Sequence, residues 1–389
     1  MNPVYLDWAA TAPPDIQAME TFQRVSVAAF ANPSSRHSQG REAARILDRA
    51  RREFAPLVGA SAESVYFTSG GTESNNLVLL SQLNRQARAT TVVSGIEHSS
   101  IYEPALLLKR QGFQVRFVEA DPDGTVRPEA IARVLDRTTR MVSVMLVNNE
   151  TGAIQPVTEI VRAVRDFEKR EGIKIHVHSD CVQALGKIPV DCEALGVDSA
   201  SFSAHKFGSP RGAGALVLRA RISPLYTGGG QEGGIRPGTE NLAAIAAMVE
   251  TAQRHVAGLA KHAEAAARQK KILLDGVKNI EGAVVVPEAS ATHPSRYSPY
   301  ISCAAFPPLP GEALVRALSD QGYSVSTGSA CSTHAKEHSR VLKAMGVGEA
   351  IASSAIRIST GYATTDEQIE GFLGVLEREL AKWSLPLRR

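Results

Sequence analysis

The run Ser199-Ala200-Ser201-Phe202-Ser203-Ala204-His205-Lys206-Phe207-Gly208 decides how this chain folds. It is typical of a short buried strand that ends in polar side chains and runs into a glycine turn. One predicted strand earlier, Ile175-His176-Val177-His178-Ser179-Asp180 ends in a carboxylate. Because parallel neighbours place their carboxyl ends at one edge of a sheet, we expect Lys206 and Asp180 to lie close together.

The chemistry of these two residues suggests a cofactor. An amine held near apolar surroundings loses its proton more easily and becomes a nucleophile. A Schiff-base lysine with an aspartate for a pyridinium nitrogen is the protein's share of pyridoxal phosphate chemistry. A second interpretation is a metal site, since His176, His178 and Asp180 share one face of their strand. No further cluster has metal-like spacing, so pyridoxal phosphate is favoured and no metal is expected. Lys206 taken alone is equally consistent with an ordinary surface lysine.

The surrounding sequence predicts an α/β fold, because short β-branched runs alternate with helical patterns. The predicted strands are Val65–Phe67, Thr91–Val93, Val115–Val118, Met141–Val147, Ile175–Val177, Ala200–Phe202 and Ala213–Leu218. The predicted helices between them are Ser74–Arg85, Ile101–Gln111, Pro128–Leu135 and Val157–Lys169. This alternation indicates a mostly parallel, seven-stranded sheet flanked by helices.

A smaller α+β domain is predicted towards the end of the chain. An alanine-rich helical region runs from Asn241 to about Lys278, and further helices are expected at Glu312–Asp320 and Thr365–Trp383. We predict a large domain over residues 15–258. The small domain then comprises residues 1–14 and 259–389 and carries the loop around Cys331.

Composition excludes several function classes. Of the 389 residues 43% are hydrophobic and 21% charged, and the formal net charge of +3 leaves no basic footprint for direct nucleic acid binding. No apolar run approaches the length of a membrane span, and the start of the chain has no signal-peptide pattern. The 4 cysteines form no Cys-x-x-Cys pair. Reduced thiols and a cytoplasmic location are therefore expected.

A glycine-containing turn from Thr68 to Asn76 follows a predicted strand and opens a helix. Free backbone N–H groups and the helix dipole make such a turn an anion site. Gly70 and Gly71 would let the backbone approach the anion, and Thr72 adds a hydroxyl. The alternative is an ordinary glycine turn with Thr72 as the helix cap.

Two further positions stand out. Cys331 lies among small residues in a stretch without a hydrophobic pattern, where an unpartnered cysteine is a liability unless its reactivity is used. By contrast, Cys192 and Cys303 fit the ordinary pattern of buried small hydrophobes. Arg357 lies inside the apolar run Ala355–Ser359. A buried arginine needs an anion, which is either a structural carboxylate or a bound ligand.

Taken in order, these motifs resemble the cysteine desulfurases of the class V pyridoxal-phosphate aminotransferase superfamily. The resemblance runs nearly end to end, and the segment from Cys331 to Val341 is similar to the longer loop of the housekeeping and nitrogen-fixation branch. The motifs that carry it are Tyr5-Leu6-Asp7, Asn32-Pro33-Ser34-Ser35, Thr68-Ser69-Gly70-Gly71-Thr72-Glu73, Glu97-His98, Asn148-Asn149-Glu150-Thr151-Gly152, Asp180 with Gln183, Ser203-Ala204-His205-Lys206, Gly229-Gly230-Gln231-Glu232, Gly238-Thr239-Glu240-Asn241, Gly328-Ser329-Ala330-Cys331-Ser332 and Arg357-Ile358-Ser359.

The resemblance implies a fold type I enzyme with pyridoxal 5'-phosphate as its cofactor. Lys206 would form the Schiff base and move the substrate Cα proton, while Asp180 would keep the ring nitrogen protonated. Gln183 would hydrogen-bond the ring hydroxyl, and His98 would stack on the ring and take part in proton transfer. The phosphate contacts would be Thr72, Ser203, His205 and the neighbouring subunit's Thr239. The contacts to the substrate carboxylate would be Asn149 and Arg357.

The resemblance also implies the reaction and the partners. L-cysteine would become L-alanine, with its sulfur held as a persulfide on Cys331 and passed to an iron–sulfur scaffold or another acceptor protein. Thr239 implies a homodimer with composite sites. Trp8, Ala12 and Cys181 depart from the usual family pattern without removing a catalytic role.

Other functions remain open at this stage. An aminotransferase, a selenocysteine lyase or a cysteine/cystine lyase would share the fold and cofactor but would not need Cys331. A non-catalytic sulfur relay or scaffold would not need Lys206, Asp180 or His98. A metal hydrolase built on the histidine pair is the remaining alternative.

Overall fold

A computed structural model describes residues 3–85, 89–225, 227–328 and 339–383. The strands in these ranges are β1 (Val4–Tyr5), β2 (Val65–Thr68), β3 (Thr90–Ser94), β4 (Gln114–Val118), β5 (Thr139–Ser143), β6 (His176–Asp180), β7 (Ser199–Ser203), β8 (Gly214–Leu218), β9 (Val284–Val285), β10 (Ile301–Ala305), β11 (Tyr323–Ser324) and β12 (Ala355–Ser359). The α-helices are α1 (Ile16–Ala28), α2 (Ser38–Phe54), α3 (Gly71–Leu80), α4 (Ser99–Arg110), α5 (Pro128–Val134), α6 (Val157–Glu171), α7 (Cys192–Leu195), α8 (Leu242–Ala257), α9 (Leu259–Lys278), α10 (Ala289–Thr292), α11 (Gly311–Asp320), α12 (Arg340–Ala344), α13 (Glu349–Ser354) and α14 (Asp366–Trp383).

The large sheet has seven strands in the order β2-β8-β7-β6-β5-β3-β4. β8 is antiparallel to both of its neighbours, and the other pairs are parallel. The predicted mostly parallel, seven-stranded α/β fold is therefore confirmed. The carboxyl ends of β2, β3, β5, β6 and β7 meet at one edge of this sheet, where ligands bind in such folds.

One predicted strand is longer than the observed one. Met141–Val147 was expected to be continuous, but β5 ends at Ser143. Past that point the backbone still bonds to β6, with the Val144 amide donating to the His178 carbonyl over 3.1 Å. Pairing on the other side stops because β3 ends at Ser94. The residues after Ser143 therefore leave the sheet at its carboxyl edge, where the site forms.

Close backbone approach shapes the turn between β2 and α3. A Cβ on Gly214, the first residue of β8, would lie 2.5 Å from the Cα of Gly70, so no side chain fits there. Gly70 itself has φ +155°, a value that glycine adopts readily. The two glycines bring the start of α3 directly over the carboxyl edge of the sheet.

A second, smaller sheet has the antiparallel order β12-β10-β9. Its apolar core contains Leu6 from the start of the chain together with Leu273, Ile356 and Phe372. The predicted α+β region is confirmed, although the predicted helix from Asn241 to Lys278 is divided at Gly258 into α8 and α9. The predicted domain limits at residues 14/15 and 258/259 stay a prediction. No helix in the described ranges is long and apolar enough to cross a membrane.

The cysteines within the described ranges are Cys181, Cys192 and Cys303, and all three are free and buried. Burial raises the pKa of Cys192 and of Cys303 to about 12, so both thiols stay protonated. They behave as small hydrophobes, as the sequence analysis expects. Cys331, to which the sequence assigns reactivity, lies outside the described residues.

Candidate active site

A cavity of ≈ 230 Å³ lies at the carboxyl edge of the large sheet. Ten residues predicted for the site line it: Gly71, Thr72, His98, Asn149, Asp180, Gln183, Ser203, His205, Lys206 and Arg357. Of the other two, Thr239 is exposed and is not in this lining, and Cys331 lies outside the described residues. A larger cavity of ≈ 480 Å³, between the end of α14 and the Pro307–Pro310 segment, contains none of these residues.

Lys206 follows β7 by one helical turn and reaches the cavity half-buried. Its ammonium donates to the carbonyls of Ala9 and Ala10, each over 2.8 Å. The N-terminal segment therefore forms one wall of the cavity and holds the amine in place. Sequence patterns could not locate this wall, because its contacts with Lys206 are made by backbone carbonyls nearly 200 positions away.

Asp180 ends β6, next to β7, as the strand pattern predicts. The side chain is almost fully buried, at 4% exposure. One carboxylate oxygen accepts from the Val182 amide over 2.9 Å, and the other accepts from the Asn75 side-chain amide over 2.7 Å. These charge-assisted bonds hold the carboxylate in a fixed orientation at the base of the cavity.

A chain of hydrogen bonds continues beneath Asp180, and we call its members Asn75, His178, Ser199 and His176 the polar floor. His178 Nε2 lies 3.0 Å from Asn75 Oδ1, and its Nδ1 lies 2.8 Å from the Ser199 hydroxyl. The same hydroxyl lies 2.7 Å from His176 Nε2. Because an ionised carboxylate only accepts, Asn75 must donate to Asp180, and His178 Nε2 must donate to Asn75. Each donor of the floor thus points towards Asp180.

Both histidines of the polar floor are neutral near pH 7. Burial, followed by the neighbouring His176, lowers the pKa of His178 to about 3. Burial lowers the pKa of His176 to about 4. No group of three or more His, Cys, Asp or Glu side chains in the described part of the chain is arranged to hold a metal ion. The two histidines support Asp180 indirectly, through the hydrogen bonds that lead by way of Ser199 and Asn75.

His98 caps the N-terminus of α4 beside Asp180. Its Nδ1 accepts from the Ser100 amide over 3.1 Å and contacts the Ser100 hydroxyl at 2.8 Å. Nδ1 therefore carries a lone pair, and the proton of the neutral ring is on Nε2. Burial lowers the pKa of His98, although Asp180 acts in the opposite direction. The ring enters the cavity as a neutral, fixed surface.

Glu97, the neighbour of His98, is completely buried. Burial, and then the charge of Asp180, raise the pKa of Glu97 to about 8, so the protonated acid predominates at neutral pH. One oxygen accepts from the Ser94 hydroxyl and from the Met145 amide, each over 2.8 Å. The motif Glu97-His98 was noted in the sequence without a role for its first residue; the structure shows it tying β3 to the chain after β5.

The start of α3 lies at the same cavity. Its cap is Gly70 rather than Thr72, and no side chain caps it. Gly71 has no room for a Cβ, which would lie 2.5 Å from Val182 Cγ2. Opposite, His205 Nδ1 lies 3.1 Å from the Thr11 hydroxyl, and burial followed by the charge of Lys206 lowers the His205 pKa to about 3. An uncapped helix start of this kind attracts an anion.

Arg357 and Asn149 form what we call the arginine wall. Arg357 donates to Asp7 Oδ1 over 2.8 Å and to the Asn149 carbonyl over 2.9 Å. The ion pair with Asp7 is the structural carboxylate of the two predicted alternatives, and the bound ligand stays a prediction. Nε of Arg357 is buried without a hydrogen bond to any of the described residues. The side-chain oxygen of Asn149 is likewise buried and forms no hydrogen bond within the described ranges. A buried polar group without a partner is costly, and a ligand carboxylate would satisfy Arg357.

These features fit pyridoxal phosphate. The donor set combines a lysine amine, a buried carboxylate on a rigid support and an uncapped helix start, which match a carbonyl carbon, a ring nitrogen and a phosphate. In the arginine wall, Arg357 Nε and Asn149 Oδ1 form no hydrogen bond with the described residues. The residues present therefore suit the cofactor and leave polar atoms for a substrate.

The residues that support the site from behind give little signal in the sequence. Asn75 lies in α3, one helical turn after Gly71, and the predicted turn from Thr68 to Asn76 contains it without indicating a role for it. Gln183 donates to the Ala9 carbonyl over 2.8 Å, and its oxygen accepts from Lys187 over 2.8 Å. The spacing of four residues between Gln183 and Lys187 is a weak signal. Ser100 bridges His98 and Asn75.

Comparisons of the sequence and of the structure with known proteins point to the same family. The model of the aminotransferase class-V family matches residues 4–372. A NifS/IcsS protein homolog of Lactobacillus delbrueckii subsp. bulgaricus is 38% identical over 379 residues, covering 96% of each chain. The cysteine desulfurase IscS of Dictyoglomus turgidum is 35% identical over 385 residues, which cover 97% of this chain and 95% of that protein. A solved structure of a NifS-like protein superposes with a TM-score of 0.90 at 35% identity, covering 98% of this chain and all of the other.

Proposed function

Because this chain belongs to the aminotransferase class-V family and is related along nearly its whole length to proteins named cysteine desulfurase, we propose that it is a cysteine desulfurase. The family resemblance drawn from the motifs is confirmed by the family match. The observation that carries the function is the convergence of Lys206, Asp180 and Arg357 on one cavity in such a chain. The substrate is L-cysteine and the products are L-alanine and a sulfur atom held by the protein.

The family uses pyridoxal phosphate, and we assign its contacts to the residues of this cavity. Lys206 Nζ would bind the carbonyl carbon, and Asp180, fixed by Asn75, would hold the proton of the ring nitrogen. Gln183 would donate to the ring oxygen, and His98 would cover the ring. The phosphate would lie at the start of α3, at Gly71, Thr72, Ser203 and His205. When bound, the cofactor supplies an electron sink for the charge left at the substrate Cα.

The arginine wall binds the substrate in this proposal. Arg357 would bind the α-carboxylate through its free Nε, and Asn149 would add a polar contact. A substrate fixed in this way presents its Cα proton to Lys206 Nζ, which takes it as a general base. Lys206 is suited to this role because the carbonyls of Ala9 and Ala10 accept hydrogen bonds from its amine and hold Nζ at the cavity.

The sulfur step uses Cys331. Its thiolate forms a bond with the substrate sulfur while the carbon–sulfur bond breaks, and the electron pair of that bond stays with the substrate carbon. That β carbon then takes up a proton, and Lys206 returns to Cα the proton that it removed. The carbon product is therefore L-alanine, and Cys331 carries a persulfide. Release as sulfide requires an added thiol reductant, and transfer requires an acceptor. We predict an iron–sulfur scaffold or another sulfur carrier as that acceptor, and a cytoplasmic location.

Two observations support a homodimer with composite sites. Thr239 is exposed and does not line the cavity of its own chain, so it is available to a neighbouring subunit. Ile16 and Val27 on α1 are 77% and 75% exposed, which is high for large apolar side chains that a partner could cover. We propose that Thr239 completes the phosphate contacts of the partner's site.

The test measures sulfide and alanine released from L-cysteine with a thiol reductant. The loaded wild type should release both in equal amounts, and Cys331→Ala should release neither while still binding the cofactor and changing its absorbance with cysteine. Lys206→Ala should lose turnover altogether. Full activity of Cys331→Ala would point to a lyase or an aminotransferase, and a wild type without turnover would point to a sulfur relay or scaffold.

A further inference from the structure

Lys187 is a buried lysine that the reaction does not use. Its side chain is 7% exposed, and it lies behind the cavity in the turn that follows β6. The ammonium donates to Gln183 Oε1 over 2.8 Å. Among the described residues no carboxylate forms an ion pair with it. A charge that is desolvated without a counter-ion is costly, so its retention calls for an explanation.

The charges that face Lys187 are also positive. Burial, followed by the charges of Lys206 and Arg357, lowers the pKa of Lys187 to about 7. His255 packs its Cβ against the neighbouring Gly186, and burial lowers the pKa of His255 to about 4, so this ring adds no charge near pH 7. The ammonium therefore lies at the positive end of the cavity, separated from it by the amide of Gln183.

The contact with Lys187 decides how Gln183 is presented. An ammonium can only donate, so the amide oxygen of Gln183 must face Lys187 and the amide nitrogen must face the Ala9 carbonyl and the cavity. A hydrogen bond from a charged donor is shorter and stronger than a neutral one, and it polarises the amide that accepts it. The N–H on the cavity side then becomes a better donor to an electron-rich oxygen.

We propose that Lys187 is a positioning residue, which orients and polarises the Gln183 amide so that it donates to an anionic ring oxygen in the cavity. This inference rests on the proposed function, because Gln183 is the residue assigned to the ring oxygen of the cofactor. Lys187 would then act on the ligand without contacting it, because the neutral amide of Gln183 lies between the ammonium and the ring oxygen.

The experiment is a pH titration of the absorbance of the loaded protein, with cofactor retention during dialysis as a second readout. Removing a nearby cation favours the protonated form of the bound chromophore. In Lys187→Met the midpoint should therefore rise by about one pH unit. Lys187→Gln, which keeps a donor but no charge, should give a smaller rise and tests the proposal if the methionine variant does not fold.

Two comparisons make the result specific. Lys270→Met removes another buried lysine, which donates to the carbonyls of Ser298 and Ile301 and whose pKa burial also lowers to about 7, so it should leave the midpoint unchanged. In a Gln183→Leu background, Lys187→Met should add less than half of its usual shift.

An unchanged midpoint in Lys187→Met, or an equal shift with and without Gln183, would overturn the positioning role. If the wild type takes up no chromophore, the proposed function fails instead.

Discussion

The polar floor and the arginine wall are both buried, but they differ in whether their polar atoms have hydrogen-bond partners. In the floor, Asn75 and His178 find partners within the protein on each side. In the wall, Arg357 Nε and Asn149 Oδ1 have no partner among the residues that the structure describes. A satisfied buried network stabilises the fold and fixes a geometry, whereas an unsatisfied one is a cost that a ligand can remove. The comparison predicts that damage to the floor weakens stability first, and damage to the wall weakens substrate binding first.

The largest expected effect is on the floor. Asn75→Leu removes the partner of one Asp180 carboxylate oxygen and the partner of His178 Nε2, and both groups are buried. Each unsatisfied group costs about 1–3 kcal/mol, so the free energy of unfolding should fall by roughly 3 kcal/mol. Urea denaturation monitored by circular dichroism measures this loss.

The control for this variant is Asn279→Leu. Asn279 is exposed at the end of α9, so its replacement should change the free energy of unfolding by less than about 0.5 kcal/mol. Equal losses in the two variants would mean that the floor is no more important than the surface.

The next effect is on the wall. Arg357→Lys keeps a charge for Asp7 but lacks the planar fork that binds a carboxylate at two points. The KM for L-cysteine should rise about 10- to 100-fold, corresponding to about 1.4–2.7 kcal/mol of binding, with little change in stability. Steady-state kinetics beside Arg316→Lys, an exposed arginine on α11, measures the difference. An unchanged KM together with a large loss of stability would show that Arg357 is purely structural.

The smallest effect concerns pH. The pKa of His178 is lowered to about 3 in the folded protein, so between about pH 6.5 and that value only the unfolded chain takes up the proton. The stabilisation is complete above pH 6.5 and declines as the pH falls. Near pH 5.5 the slope from this residue is about 1 kcal/mol per pH unit. His178→Gln should remove that part of the slope in urea denaturation at pH 5–7, and the exposed His293→Gln should not. A slope that is identical in the wild type and His178→Gln would show that the floor histidine does not titrate on unfolding.

The local pattern of the sequence determined the large sheet and the core of the site. Short strand-like runs that end in polar side chains placed β6 and β7. Because parallel neighbours share a carboxyl edge, Asp180 and Lys206 were expected to lie close together there. Gly70 and Gly71 marked the turn that opens α3, since a turn that approaches a ligand closely needs residues without a Cβ, although the helix was predicted to begin at Ser74 and begins at Gly71. These inferences use neighbours in the chain or in one sheet, where spacing fixes geometry.

Only the tertiary structure decided which distant groups complete the site. The ion pair between Asp7 and Arg357 joins positions 350 residues apart, and Lys206 is held by backbone carbonyls, which carry no side-chain signal in the sequence. In the sequence Lys187 cannot be distinguished from an ordinary surface lysine. Only the folded structure shows that it is buried and donates to the Gln183 amide. The physical reason is that the hydrophobic pattern of a segment predicts which face of its helix or strand is buried. The partner of a single buried polar atom is fixed only when the elements pack.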